Sequence, residues 1–198
     1  MRKIVFLIHG LGDTAALFRR LRVCLESSGW TVYAIDLVPN DGGVGLDELA
    51  GRVADRIDRE LIRGEPINLV GFSMGGLVAR FYAQKLAAGR TVKRLITIST
   101  PHQGTWIAFL RGNIGARQMR PRSEFLKQLN TPVALEALRR TDFTSIWTPL
   151  DLMIVPADSS ALTCARCVRV NVVAHALMMR SRRVLELVEH TLEASCRA

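Results

Sequence analysis

Aromatic side chains are scarce in this chain: 6% of 198 residues, with only two tyrosines. That scarcity removes the rings on which single-stranded nucleic acid would stack. Acidic residues are also few, 18 against 27 lysines and arginines, which leaves a net charge of +9. The excess is scattered, with local clusters at Arg111, Arg117, Arg120 and Arg122 and at Arg180, Arg182 and Arg183. Such a balance suits an anionic lipid surface or an acidic substrate, and without aromatic interleaving a nucleic-acid partner is not expected. No apolar run approaches the roughly 18 residues that a membrane-crossing helix needs. The stretch Met1 to Gly10 starts basic, but its apolar core is short and no small-residue cleavage site follows, so it reads as a strand and not a signal. The expectation is a soluble, cytoplasmic chain with no transmembrane segment. Cysteine is limited to Cys24, Cys164, Cys167 and Cys196. The Cys164-Ala-Arg-Cys167 spacing would supply half a zinc site or a redox dithiol, but no second pair accompanies it, so ordinary thiols and no metal are expected.

What is present is ample apolar content, 48%, and a length that suits one domain spanning residues 1–198. Its chemistry concentrates in residues 66 to 82, where a short apolar strand, Ile67 to Val70, runs into Gly71-Phe72-Ser73-Met74-Gly75-Gly76 and then into a helix. Leu77, Val78, Phe81 and Leu86 recur at helical spacing along that helix, so the turn before it must reverse the chain abruptly. Glycines on either side of Ser73 permit the crowding and let the hydroxyl point outward, the geometry of a nucleophile elbow. A phosphate-binding loop would require a terminal Lys-Ser/Thr or a G-x-G-x-x-G spacing, and neither is there.

Around this turn, strand and helix patterns alternate. Residues 3 to 8 read as a buried strand ending at His9-Gly10-Leu11-Gly12-Asp13, and 14 to 28 as an amphipathic helix capped by Asp13 or Thr14 and stopped by Gly29. Trp30 to Ile35 is a strand, Leu46 to Arg63 a helix, and Thr91 to Ser99 a β-branched strand. Phe143 to Trp147 and Cys167 to Val173 follow as strands, before a final amphipathic helix through Val184, Leu185, Val188 and Leu192. Alternation of this kind builds an α/β fold with a parallel sheet, helices on both faces, and chemistry at the strands' carboxyl ends. Residues 104 to 141 break the rhythm. They read as a cap-like excursion over that rim in which Trp106, Phe109 and Leu110 form an acyl-binding wall; a long crossover connection is the alternative.

A serine hydroxyl needs a base in hydrogen-bond reach and a third group to orient that base. Of four histidines, His190 falls inside the last helix, His9 and His102 precede any candidate acid and flank glycine or proline turns, and His175 follows the final strand. Ser73, Asp151 and His175 satisfy the order nucleophile, acid, histidine, with Asp158 the rival acid. The backbone N–H of Met74 and that of Leu11 are the candidate oxyanion donors.

Together, His9-Gly10-Leu11-Gly12, Gly-Phe-Ser-Met-Gly-Gly, Ser99-Thr-Pro-His-Gln-Gly-Thr105, Thr144-Ser-Ile-Trp followed by Asp151 and Ile-Val-Pro, and His175 before an apolar helix resemble the small α/β-hydrolase lipases of bacteria. The likeness is to the minimal lid-less type and the related triacylglycerol lipase and esterase group, over nearly the whole chain. It implies an α/β-hydrolase fold with a minimal, mostly parallel sheet of about six strands. It also implies Ser73, Asp151 and His175 as a catalytic triad, Leu11 and Met74 as oxyanion donors, and no metal or organic cofactor. The activity implied is hydrolysis of carboxylic esters, with an ester or lipid as substrate; an acyltransferase, a thioesterase or a non-catalytic hydrolase-like binding protein are the alternatives. Where relatives often carry Gly-His, this chain has Ala174 and Ala176 flanking the histidine.

Overall fold

The computed structural model describes residues 2–62, 64–87 and 89–194. Arg63, the expected end of the second helix, and Cys196 lie outside them. Six strands form one sheet: β1 (Ile4–Ile8), β2 (Thr31–Ile35), β3 (Ile67–Phe72), β4 (Val92–Ile98), β5 (Asp142–Trp147) and β6 (Arg166–Arg169). Their order is β2-β1-β3-β4-β5-β6, and all adjacent pairs run parallel.

Because β1 and β3 are buried along their whole length, their side chains feed two cores by alternation. Phe6, Ile8 and Leu69 face one side, where α2 (Leu46–Glu60) and α3 (Met74–Phe81) bring Leu49, Val53, Ile57, Leu77 and Val78. Val5, Leu7 and Val70 face the other, against Leu21 and Leu25 of α1 (Arg19–Ser27) and Val184, Val188 and Leu192 of the C-terminal helix at 182–193. Each fully buried side chain of this size contributes roughly 1.5–3 kcal/mol, so the central strands are the best-anchored part of the chain. No helix among the described residues is long and apolar enough to cross a membrane.

Several boundaries differ from the sequence expectation. The first helix starts as a 3-10 turn, Ala15–Phe18, and Thr14 makes no side-chain cap there. After α3, residues Tyr82–Leu86 widen into a π-turn, and Leu86 is exposed instead of buried. The excursion at 104–141 contains a 3-10 turn, Trp106–Leu110, and three short helices: α4 (Ile114–Gln118), α5 (Glu124–Leu129) and α6 (Pro132–Glu136). Their starts are set locally. Asn113, Ser123 and Thr131 accept hydrogen bonds from the N–H groups of Ala116, Leu126 and Ala134. Pro132 opens α6, where its missing N–H costs nothing, so it divides two helices and does not kink one. The final helix is α7 (Arg182–Glu193).

The last strand is shorter than the apolar pattern of Cys167 to Val173 suggests. β6 is an edge strand, and after Arg169 the chain bends away. Val170 N still donates to Trp147 O at 2.9 Å, and Thr148 Oγ1 donates to Val172 O at 2.8 Å. Both bonds hold the departing segment over the carboxyl end of β5. Cys24, Cys164 and Cys167 are free thiols. The Cys24 thiol donates to Glu189, and that bond, with burial, pushes its pKa up to about 11.

Candidate active site

Ser73 joins β3 to α3 at φ 53°, ψ −124°, a backbone conformation that L-residues avoid. The strain is held in place on both sides. Ser73 N donates to Ile98 O on β4 at 2.8 Å, and Gly76 N donates to Ser73 O at 3.0 Å. A Cβ on Gly71 would lie 2.5 Å from the Gly76 Cα, and one on Gly75 would overlap the carbonyl oxygens of Ile8 and His9. Only glycine lets α3 sit this close to β3 and to the end of β1. Met74 is the first residue of α3, so its N–H has no partner within the helix and faces the helix's positive end.

The β1 end supplies the opposite wall. His9 is fully buried; its Nε2 accepts from Leu37 N at 2.9 Å, which leaves the proton on Nδ1 to donate to Gly10 O at 2.9 Å. His9 therefore fixes the loop's conformation and offers no free nitrogen to a substrate. Gly10 passes close beneath Ser73, since a Cβ on it would stand 3.0 Å from Ser73 Cβ. Leu11 follows and lines the same cavity as Ser73.

Asp151 and His175 arrive from the carboxyl ends of β5 and β6. His175 Nδ1 stands 2.8 Å from Asp151 Oδ2, while Asp151 Oδ1 accepts from Met153 N at 2.9 Å and Ile154 N at 3.0 Å. Burial alone would raise the Asp151 pKa, but the hydrogen bond and charge of His175 and the Ile154 N–H outweigh it and hold it below the ordinary value. The carboxylate therefore stays ionised and keeps the His175 proton on Nδ1. Nε2 is left as the acceptor. Asp158 is exposed on the 3-10 turn Ala157–Ser160, and His190 is exposed on α7.

Ala174, directly before the histidine, sits at φ 89°, ψ 143°, a region that glycine alone occupies without strain. Ala174→Gly is expected to stabilise the protein by about 1 kcal/mol, because relief of strain exceeds glycine's added freedom in the unfolded chain. A rise in the urea midpoint checks it; a fall would show that the backbone is relaxed there.

Ser73 and His175 line one cavity of about 710 Å³ together with Leu11, Leu17, Phe72, Ile107, Leu110 and Met153 among others. The structure divides the expected acyl wall. Leu110 lines the cavity, but Trp106 and Phe109 do not; they stack on each other at 5.4 Å, exposed, with the Arg120 guanidinium over Phe109 at 4.7 Å. A 3-10 turn places side chains every third residue on one edge, so 106 and 109 share the outer edge while 107 and 110 share the inner one.

Four features escaped the sequence reading. Phe72 packs its ring against the His175 imidazole at 4.8 Å. Thr105 Oγ1 accepts from Val155 N and donates to Met153 O, both at 2.9 Å, which ties the start of the excursion to the loop bearing Asp151. Asp13, taken above as a helix cap, instead lines the cavity, and burial raises its pKa against the lowering influence of His9 and His175. His102 is wholly buried: Nε2 meets Thr97 Oγ1 at 2.9 Å and Nδ1 faces the Arg80 guanidinium at 3.3 Å. Burial, then Arg80, drives its pKa well below the usual range, so it is a neutral strut. Arg80 in turn donates to Leu129 O at 2.9 Å and Asn130 Oδ1 at 3.0 Å, which fastens the excursion to α3. The pattern Arg at 80 with Thr-Pro-His at 100–102 was visible, but no periodicity announces a buried polar pair.

The chain matches the family model described as alpha/beta hydrolase fold over residues 3–131. Among solved structures it is similar to a lipase of Bacillus licheniformis in its mature form, at TM-score 0.76 and 16% identity, covering 96% of this chain and 92% of that one. It is similar to Aspergillus fumigatus lipase B at TM-score 0.82 and 18% identity, covering 98% of this chain and 53% of that one, so it spans about half of the fungal enzyme. It is also similar to a pyrethroid hydrolase of Sphingobium faniae at TM-score 0.64 and 20% identity, covering 98% of each.

Proposed function

We propose, from the premise that the chain belongs to the α/β-hydrolase-fold family, that it is a serine hydrolase cleaving carboxylic esters through an acyl-enzyme. The observation that carries this reading is the 2.8 Å contact of His175 Nδ1 with Asp151, in a cavity that also holds Ser73 at the elbow. A carboxylate fixed on one imidazole nitrogen leaves the other as a base. His175 Nε2 takes the Ser73 proton as Oγ adds to the ester carbonyl, and the imidazolium is stabilised by Asp151 without proton transfer to it. The oxyanion is met by the N–H groups of Leu11 and Met74, each worth about 3 kcal/mol in sites of this kind.

The carbonyl reforms as the C–O bond to the alcohol breaks, and His175 returns its proton to the leaving oxygen. Water, deprotonated by the same imidazole, then adds to the acyl-serine. The acid leaves with one water oxygen, and Ser73 regains its proton. The lipase-named neighbours fit such chemistry, and the mostly apolar cavity fits an acyl chain. A location in the cytoplasm and an ester or lipid substrate belong to this proposal.

The test is a nitrophenyl ester series of increasing acyl length, run with a serine-reactive fluorophosphonate and mapping of the adduct by mass spectrometry. Turnover that stops on labelling, with the adduct on Ser73, is expected. Turnover that survives complete labelling of Ser73, or an adduct on another residue, would overturn the assignment.

A further inference from the structure

Two arginines line the cavity that holds Ser73. Arg111 follows the 3-10 turn Trp106–Leu110, and Arg180 closes the 3-10 turn His175–Arg180. They come from the two chain segments that bound the site, the excursion and the loop of the base. Both are exposed, and among the described residues neither side chain has a hydrogen bond or ion pair. Five exposed arginines, Arg22, Arg52, Arg56, Arg139 and Arg182, instead face a glutamate three or four residues away; what sets Arg111 and Arg180 apart from the remaining exposed arginines is their place in the lining of the Ser73 cavity. Among the described residues the only carboxylate lining the cavity is Asp13, one negative charge against two guanidiniums. The rest of the lining is chiefly apolar, through Leu17, Phe72, Ile107, Leu110, Met153 and Ile154. Beside it Leu110, Leu152 and Met153 are exposed, the first two at 80% and 78%.

An apolar interior with unpaired cations at its mouth suits an amphiphile whose charge is negative. A guanidinium presents paired N–H donors that match phosphate oxygens, and an unpaired one gives up no existing partner on binding. We infer that the substrate is an acyl ester carrying an anionic phosphate, a lipid of the glycerophospholipid class, with its phosphate held by Arg111 and Arg180 and its chain along the apolar wall. This rests on the serine-hydrolase reading above and assigns its substrate class. The bond broken is the acyl C–O bond. Water supplies the hydroxyl of the released fatty acid, and the phosphodiester leaves intact on the lyso alcohol. The exposed Leu110, Leu152 and Met153 then meet the lipid's neighbours in an anionic bilayer, to which a net charge of +9 is complementary.

The experiment compares kcat/KM for dihexanoyl phosphatidylglycerol and dihexanoylglycerol, both kept monomeric, alongside nitrophenyl butyrate. The anionic lipid is expected to be preferred about tenfold, the low end of what a charge-assisted hydrogen bond supplies. The Arg111→Gln, Arg180→Gln double variant is expected to lose that ratio, mainly through KM. The Arg111→Lys, Arg180→Lys variant is expected to keep much of it, which a merely structural role would not reproduce. A wild-type ratio near one, or a ratio unchanged in the glutamine variant, overturns the inference. An equal preference for acetyl glycerol 3-phosphate, which has the phosphate but no chain, would move selection to a small soluble ester and overturn the lipid assignment. Nitrophenyl butyrate turnover that stops when Ser73 is labelled shows that the hydrolase reading stands even where this inference fails. No turnover of any ester and no label means that the hydrolase reading itself has failed.

Discussion

Ser73→Ala is expected to lower kcat on a short nitrophenyl ester by about a million-fold, the scale of loss when an activated serine is removed from its base. The fold should be untouched. Alanine keeps the Cβ, so the strain at φ 53° is the same, and the backbone bonds Ser73 N to Ile98 O and Gly76 N to Ser73 O do not involve the hydroxyl. The urea midpoint therefore stays within a few tenths of a molar, and kcat is the quantity that moves. Residual turnover is expected from the proposed oxyanion donors, the Leu11 and Met74 N–H groups, acting on bound ester with water as nucleophile. A variant that retained a tenth of the wild-type rate would show that another group attacks, and the triad assignment would fall.

Gly75→Ala is expected to abolish stable folding. The added Cβ would meet the carbonyl oxygens of Ile8 and His9 at the end of β1, and backbone of a central strand cannot swing aside as a side chain does. β1 is paired on both edges, to β2 and β3, so any shift breaks a ladder. The penalty is more than about 4 kcal/mol, comparable with the whole stability of a domain this size. Gly51→Ala makes the contrast. Gly51 lies inside α2 with nothing within 4 Å of a built Cβ, so alanine there gains about 1 kcal/mol of helix propensity. Soluble yield and cooperative urea unfolding of the two variants decide the matter. A well-folded Gly75→Ala protein would mean that the elbow is looser than the geometry requires.

The elbow was legible because it is a local device. Strand, glycine, serine, glycine and helix occupy one continuous stretch, and the strain at Ser73 follows from the crowding that Gly71 and Gly75 permit. The parallel sheet was legible for a similar reason: continuous apolar runs alternating with helical periods leave few other architectures. The excursion was legible only as an interruption. Its division into α4, α5 and α6 depends on the Asn113, Ser123 and Thr131 caps, which compete with one another along a segment of weak periodicity. Trp106 and Phe109 show the limit most plainly. Their hydrophobicity suggests a wall, and a 3-10 turn instead of an α-helix sends them outward. The buried Arg80 and His102 gave no signal, because pairing of that kind joins positions 22 residues apart across two elements.

What the sequence by itself determined is whatever one segment can encode: the strand and helix periods, the glycine-flanked serine, and the chain order in which an acid and a histidine follow it. Tertiary structure alone decided the rest. It set the Asp151 carboxylate, which the sequence order already put ahead of Asp158, at 2.8 Å from His175, on a loop after β5 pinned by Thr105 and by the Met153 and Ile154 N–H groups. It turned Asp13 into the cavity, and it brought Arg111 and Arg180, 69 positions apart in the chain, into the lining of that same cavity. Side-chain direction at such places is fixed by contacts between segments distant in sequence, and no local pattern carries that information.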